Sequence, residues 1–461
     1  MILCGAAAGL GGGVSGAPGT APPPAAGGVG AGTKRAAEVP PGGGAGSSDE
    51  AQVKRARAES GEAATEAAAV GGAAAADAGP EAEGGAAGAS GGDAPSKKRA
   101  KKRKVAVFFA YLGEGYCGMQ RNPGVRTIED AMEEALHKAG CISDDNKGDL
   151  SKIGWMRSAR TDKGVNAVGQ VVSAKLVIDP VESLVERINA HLAPGLACLG
   201  FHRVTASFCA RKMCDRRRYE YVLPAWALDP ALGRRRADVA TADQPAEVSA
   251  ASGEGAGAAV LATESGDGVQ APAWTPEEGL VKLNAALAHY VGTRNYHNYT
   301  KGMDPKLAQA KRNLLSFKAE LFDFEGEPLV RCVVLGQSFV LHQIRKMIGM
   351  ALAVARGVAD EGCLTTALRT TSKCNVPLAP ELGLFLDETL FHAYNKRYAD
   401  THKPLDCSEF ADQVAKFKRG LLYPHIIKAE ARDGPMKFFV KGLNEQNYSF
   451  STWLEFEKDL K

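Results

Sequence analysis

The chain lacks several things at once, and each absence removes a class of protein. It holds 10 cysteines in 461 residues, yet no Cys-x-x-Cys pair occurs. Spacing therefore offers nothing to a multi-cysteine zinc site or a dithiol redox motif. Scattered thiols from Cys4 to Cys407 fit a reduced intracellular protein with no metal centre. No apolar run is long enough to span a bilayer, so no membrane partner is expected. No basic residue precedes Lys34. Met1-Ile-Leu-Cys therefore has no basic flank for a secretory signal, and the stretch lacks the arginines of a mitochondrial leader. A mitochondrial form would need another start. Residues 1–104 contain no aromatic side chain and consist mostly of Gly, Ala, Pro and acidic residues. Such a stretch cannot bury enough apolar surface to offset the entropy of ordering it, and it reads as a disordered arm.

What is present divides the chain into five parts. The arm, 1–104, ends in Ser96-Lys-Lys-Arg-Ala-Lys-Lys-Arg-Lys104, after a smaller group at Lys54-Arg-Ala-Arg57. Basic residues this dense read as a nuclear address with nonspecific RNA contact. Residues 105–228 form a first folded half and 274–390 a second. Between them, 229–273 returns to Ala, Gly, Glu and Asp and reads as a low-complexity surface insertion. Residues 391–461 form a charged, aromatic extension expected to be helical and to widen a nucleic-acid face. The formal net charge of +3 understates the basicity of the folded part, because the two low-complexity stretches carry many acids.

Local signals give strands and helices in alternation. Val105–Leu112 is a short apolar strand, and Thr127-Ile-Glu-Asp130 resembles a capping box opening a helix. Strands are expected at Ile153–Met156, Gly169–Ile178 and Leu199–Val204, with a helix over Ser183–Leu192. Thr275-Pro-Glu-Glu278 opens another helix, with Thr as N-cap and Pro at the first helical position. Leu314–Leu321 and Leu329–Leu335 read as a strand pair. A helix then starts with Ser338 as N-cap, and its buried stripe is Leu341, Ile344, Ile348 and Leu352. The fold class is α/β (α+β), a mixed sheet layered with helices. The polar-aromatic loop Arg294–Thr300 reads as structural, with His297 a hydrogen-bonded scaffold residue.

One polar loop stands apart: Arg157-Ser-Ala-Arg-Thr-Asp-Lys-Gly-Val-Asn-Ala-Val168. Alone, an Asp-Lys-Gly triplet is most simply a turn. A second stretch, Asp215-Arg-Arg-Arg-Tyr-Glu-Tyr221, sets clustered arginines beside an aromatic strand. That combination suits phosphate contact and base stacking, and equally an exposed basic edge beside a core tyrosine.

Together these segments resemble a known family. Arg160-Thr161-Asp162-Lys163-Gly164-Val165 is similar to the R-T-D-x-G-V signature of the TruA-family pseudouridine synthases. Arg217-Arg218-Tyr219-Glu220-Tyr221 resembles their R-R-Y-x-Y motif. Ser338-Phe339 through Arg345 resembles S-F-x-x-x-x-x-R, and Ala379–Leu386 resembles A-P-x-x-G-L-x-L. The matches run in order from about Val105 nearly to the C-terminus and lie nearest the eukaryotic type 1 branch.

The resemblance implies two ferredoxin-like or RRM-like halves sharing a central, largely antiparallel mixed sheet with helices on one face. It implies an isomerase that converts uridines in tRNA to pseudouridine, without cofactor, as a monomer; mRNA and other RNAs are further substrates it allows. By the same resemblance Asp162 is the nucleophile, Arg160 fills the space of the flipped base, and Tyr219 packs on the uracil and is a further catalytic residue that passes the C5 proton. Arg345 pairs with Asp162, and Arg217 and Arg218 join the substrate contacts. Position 166 is Asn where bacterial relatives often carry His, which bears on substrate handling. Two other readings compete with it. A non-catalytic RNA-binding protein needs no carboxylate at 162. A zinc nucleobase deaminase needs His-x-Glu and Pro-Cys-x-x-Cys, and the chain has neither.

Overall fold

A computed structural model describes residues 101–232 and 274–445. The expectations for the arm up to residue 100, for most of the insertion and for the last sixteen residues lie outside the described residues. The sheet begins earlier than the apolar pattern suggested. Strand β1 spans Lys102–Tyr111, so the end of the basic run is already paired, and Lys104 Nζ donates to the Gly154 carbonyl at 3.0 Å. No helix among the described residues is long and apolar enough to cross a membrane.

The first half continues with α1 (Ile128–Lys138), whose N-terminus is the expected capping box between Thr127 and Asp130. Strands β2 (Met156–Arg157) and β3 (Asn166–Val177) follow, then α2 (Leu184–Asn189) and β4 (Leu196–Arg203). A short helix α3 (Ala210–Met213) leads into the second half. That half comprises β5 (Arg216–Pro224), α4 (Pro276–Ala288), β6 (Gly292–Asn295), β7 (Lys311–Phe324), β8 (Glu327–Gly336), α5 (Gln343–Ala355), α6 (Gly362–Ala367) and β9 (Leu384–Leu390). Because β5 pairs with β8 and β9, it belongs to the second half, and the boundary expected after residue 228 lies earlier. The Thr275 hydroxyl accepts from the Glu278 amide, so the N-cap reading at α4 agrees with the structure.

The sheet runs β4-β1-β3-β9-β5-β8-β7-β6, with β2 on the side of β3. Each half repeats one plan. In β1-α1-β2-β3-α2-β4 the spatial order is fourth, first, third, second; in β5-α4-β7-β8-α5-β9 it is the same. This is the β-α-β-β-α-β ferredoxin-like unit, used twice. The halves meet where β9 lies parallel to β3, with Asn166 opposite Phe385 and Ala167 opposite Leu386. The other strand pairs are antiparallel.

Strand alternation sorts the core onto two faces. Val105, Val107, Phe109 and Tyr111 of β1 face α1, α2, α4 and α5 in one apolar cluster. Ala106, Phe108 and Ala110 face the other way, against Phe391, Tyr394, Phe410, Leu422 and Tyr423. The C-terminal extension is helical, through α7 (His392–Tyr398), α8 (Ala411–Phe417), α9 (Tyr423–Asp433) and α10 (Pro435–Glu445). Its α7, α8 and α9 close the second face of the sheet, whereas Met436, Val440 and Leu443 of α10 join the first cluster. A π-helical turn at Lys418–Leu422 joins α8 to α9.

Candidate active site

The site starts from a turn. The Val165 amide donates to the Asp162 carbonyl at 3.1 Å, and Gly164 lies at φ +76. Positive φ at the third position makes Asp162–Val165 a type II turn, which is why the sequence needs glycine there. The turn stands at the start of β3, beside the junction of the two halves. Buried polar groups hold it from behind. The Tyr111 hydroxyl lies 2.9 Å from Thr161 Oγ1, and Gln170 Nε2 donates to the Ala159 carbonyl at 2.9 Å. Burial pushes the Tyr111 phenol up to about 12, so it stays a neutral hydrogen-bonding group. Asn166 is buried and bridges two backbones: its Oδ1 accepts from Gly113, and its Nδ2 donates to the Leu382 carbonyl. It braces the loop from behind.

Asp162 is held at the mouth of a cavity of about 260 Å³ lined by Arg160, Tyr219, Phe339, Leu341, His342 and Leu384, among others. That lies below the usual range for drug-sized ligands, about 300–1,000 Å³, and suits one planar base. Tyr219 reaches it from β5 because residues 217, 219 and 221 share a face of that strand. The Tyr219 ring meets Phe339 edge-on, with centroids 5.3 Å apart. Burial holds the Tyr219 phenol far above its ordinary value. Arg160 is exposed at the rim and makes no hydrogen bond or ion pair among the described residues.

Three expectations need correction. The direct Arg345–Asp162 pair is not formed. Arg345 Nε donates to the Ala379 carbonyl at 2.7 Å, and its Nη2 lies 2.9 Å from Glu381 Oε2. The chain segment Ala379–Glu381 runs alongside α5 and takes up the guanidinium fork. Arg345 still acts through space: burial raises the Asp162 carboxyl above its ordinary range, while His342 and then Arg345 pull it back. Arg218 does not face the cavity. Strand alternation turns it to the other side of the sheet, where it bonds Asp387 and lies 2.9 Å from Glu388. Arg217 faces the site side, but its guanidinium is tied to the Gln337 and Ser158 carbonyls at 2.9 and 2.8 Å.

The third correction concerns α5. Its N-cap is His342, not Ser338, and Leu341 is 53% exposed instead of buried. The chain cannot enter the helix earlier because residues 338–341 wrap the cavity, and the Gln343 side chain accepts from the Val340 amide. His342 adopts φ +64, a left-handed backbone at a non-glycine residue. Strain of this kind collects at functional sites. Its Nε2 stands 4.0 Å from Asp162 Oδ2. Burial lowers its pKa, against the opposing pull of Asp162. No local signal marks His342, which falls inside the helix expected from Ser338 and off its buried stripe. The His297 reading agrees with the structure: the ring is buried and bonds Asn295 Oδ1 and the Ser372 carbonyl.

Two fused ferredoxin-like units with a base-sized cavity at their junction, a carboxylate at its mouth and an unengaged arginine at its rim define a class that acts on an unstacked nucleobase. Comparison with known proteins narrows that class. A family model described as tRNA pseudouridine synthase matches residues 286–392. The chain is 37% identical over 354 residues to the Pseudouridylate synthase 1 homolog of Mus musculus, covering 76% of this chain and 75% of that protein. To the homolog of Homo sapiens it is 37% identical, covering 75% and 74%. To tRNA pseudouridine synthase 1 of Candida glabrata it is 34% identical, covering 76% and 72%. The chain belongs to the TruA family of tRNA pseudouridine synthases, and is an isomerase.

Proposed function

We propose that the chain converts uridines of tRNA to pseudouridine with Asp162 as the nucleophile, in the cavity between its two halves. The observation that carries this reading is the placement of Asp162 beside a cavity walled by Tyr219 and Phe339. The reaction breaks the N1–C1′ bond, turns the base and joins C5 to C1′. A carboxylate suits it because it can attack an electrophilic carbon and later leave. Asp162 is two-thirds shielded from water, and its charge is supported by His342 and by Arg345.

The uridine must leave its stack to reach this cavity, at a cost of roughly a few kcal/mol. Arg160, unpaired at the rim, is placed to fill the vacated space, and Tyr219 with Phe339 to pack on the base. Arg217 and Arg218 are spent within the protein, so we assign the substrate contacts to Arg160 and Tyr219. Phosphate contact makes binding fall as salt rises. Action as a monomer, on other RNAs including mRNA, and in the nucleus by way of the basic run around Lys97–Lys104 belong to the same proposal.

The test is tritium release from tRNA carrying uracil tritiated at C5. Asp162→Ala is expected to abolish release while tRNA affinity survives. Release at the normal rate from that variant would remove Asp162 as nucleophile.

A further inference from the structure

A uridine turned into the base cavity brings its backbone with it. The phosphodiesters on either side of it then lie against the protein surface next to that cavity, where cations and polar donors hold them. Arg160 is a single charge at the rim, and Arg217 and Arg218 are engaged within the protein. Further cations stand beyond His342.

We infer that a second cavity, of about 770 Å³ and lined by Lys301, Lys346 and Lys373, holds an RNA phosphodiester flanking the flipped uridine. The inference rests on the reading that uridine is isomerised beside Asp162. His342 lines both cavities, so a phosphate one sugar away from a base in the first is within reach of the second.

The lysines are brought together by buried polar groups. His297 Nε2 lies 2.7 Å from the Ser372 carbonyl. Asn298 Nδ2 donates to the Ala367 carbonyl at 3.0 Å, and its Oδ1 accepts from the Cys374 amide at 2.9 Å. Lys373 therefore sits between two residues whose backbones are tied to the loop that carries Lys301. Lys346 comes from the first turn of α5 and ties the same loop down, with Nζ donating to the Asn298 and Thr300 carbonyls at 3.0 and 3.1 Å. An ammonium has three N–H groups, so one is left for a ligand.

The charge of this cavity is one-sided. No Asp or Glu lines it, and none of the three lysines forms an ion pair among the described residues. Burial lowers the Lys346 pKa with no carboxylate to offset the cost, a cost that an incoming anion relieves. A concave surface of one sign concentrates counter-charge from solution. Lysines meet phosphate as point charges, so such a contact fixes the register of the strand without reading its sequence.

The experiment compares the full chain with a variant carrying Lys301→Gln and Lys373→Gln together. Both side chains are exposed, so the fold is expected to be kept. The RNA is a ligated tRNA in which one phosphate flanking the modified uridine is replaced by a neutral methylphosphonate. The 2′-hydroxyl beside that linkage is removed, and the control has the same deoxy sugar with an ordinary phosphate. With control tRNA, the slope of log affinity against log salt is expected to become shallower by about 0.7 in the variant, the value for one phosphate contact. That change alone weakens binding about fourfold at about 0.15 M salt. The single-turnover rate at saturating tRNA is expected to be kept, because the contact holds ground and transition state alike. At one of the two flanking positions the neutral linkage is expected to weaken wild-type binding by at least the same factor, and the variant by less. An unchanged salt slope would overturn the inference. So would equal losses from the neutral linkage in the two proteins at both positions, which places the lysines on some other anion. No tritium release from the wild type would defeat the proposed function and this inference with it; normal release with equal losses defeats the inference alone.

Discussion

Lys418→Met removes an ammonium from beneath the sheet while keeping most of its volume. In the native protein Lys418 Nζ lies 2.6 Å from Asp387 Oδ1 and 2.9 Å from Glu220 Oε1, and its side chain is 14% exposed. Arg218 bonds Asp387 and Glu388, so three carboxylates share two cations. Burial and the neighbouring Asp387 raise the Glu220 carboxyl, whereas Lys418 and Arg218 hold Asp387 low against its own burial. Among the described residues Glu220 Oε2 has no hydrogen-bond partner, and it is the natural place for a proton once Lys418 is gone. Stranding a buried charge costs about 3–5 kcal/mol. Protonation sets a ceiling: neutralising a glutamate of ordinary pKa at pH 7 costs about 3.7 kcal/mol, at about 1.36 kcal/mol per pH unit. The expected loss at pH 7 is therefore about 3–4 kcal/mol, or roughly 6–8 °C in Tm for a domain of this size.

The sign with pH follows from the proton. In the variant, folded Glu220 keeps a proton that the unfolded chain gives up above its ordinary pKa. The folded state then binds more protons, and stability falls as pH rises from the acid side to neutrality. At pH 5 the same ceiling is only about 1 kcal/mol. Denaturant unfolding of wild type and variant at pH 5 and pH 7 measures both numbers. A loss below about 1 kcal/mol at pH 7, or an equal loss at the two pH values, would refute the account.

Two further substitutions probe the site and the seam. Arg345→Lys keeps the charge but loses the planar fork that reaches both the Ala379 carbonyl and Glu381; turnover is expected to fall roughly tenfold or more, with a smaller change in tRNA affinity. Equal losses in single-turnover rate and in filter-binding affinity would mark a phosphate contact instead. Gly169→Ala places a Cβ 2.2 Å from the Asp387 carbonyl, where β3 and β9 join the halves, and is expected to cost about 1–3 kcal/mol or more in denaturant unfolding. A wild-type midpoint would show that the seam can open without strain.

The sequence by itself settled the alternation of strands and helices, because apolar periodicity and capping are local. Thr127 and Thr275 cap the helices they were expected to cap. It also marked the loop around Asp162, since a type II turn needs glycine at a fixed offset. What it could not settle is which way a side chain faces and what meets it there. Arg217, Arg218 and Tyr219 are neighbours in the chain, yet strand alternation sends Arg218 to the buried ion network and Tyr219 to the cavity. Arg345 was expected to meet Asp162, but Glu381, brought alongside by the approach to β9, takes its fork. His342 became a site residue only when residues 338–341 left the helical path to wrap the cavity. Those outcomes depend on contacts between segments 36 to 169 residues apart, or on a backbone bent by packing, and no local pattern encodes either.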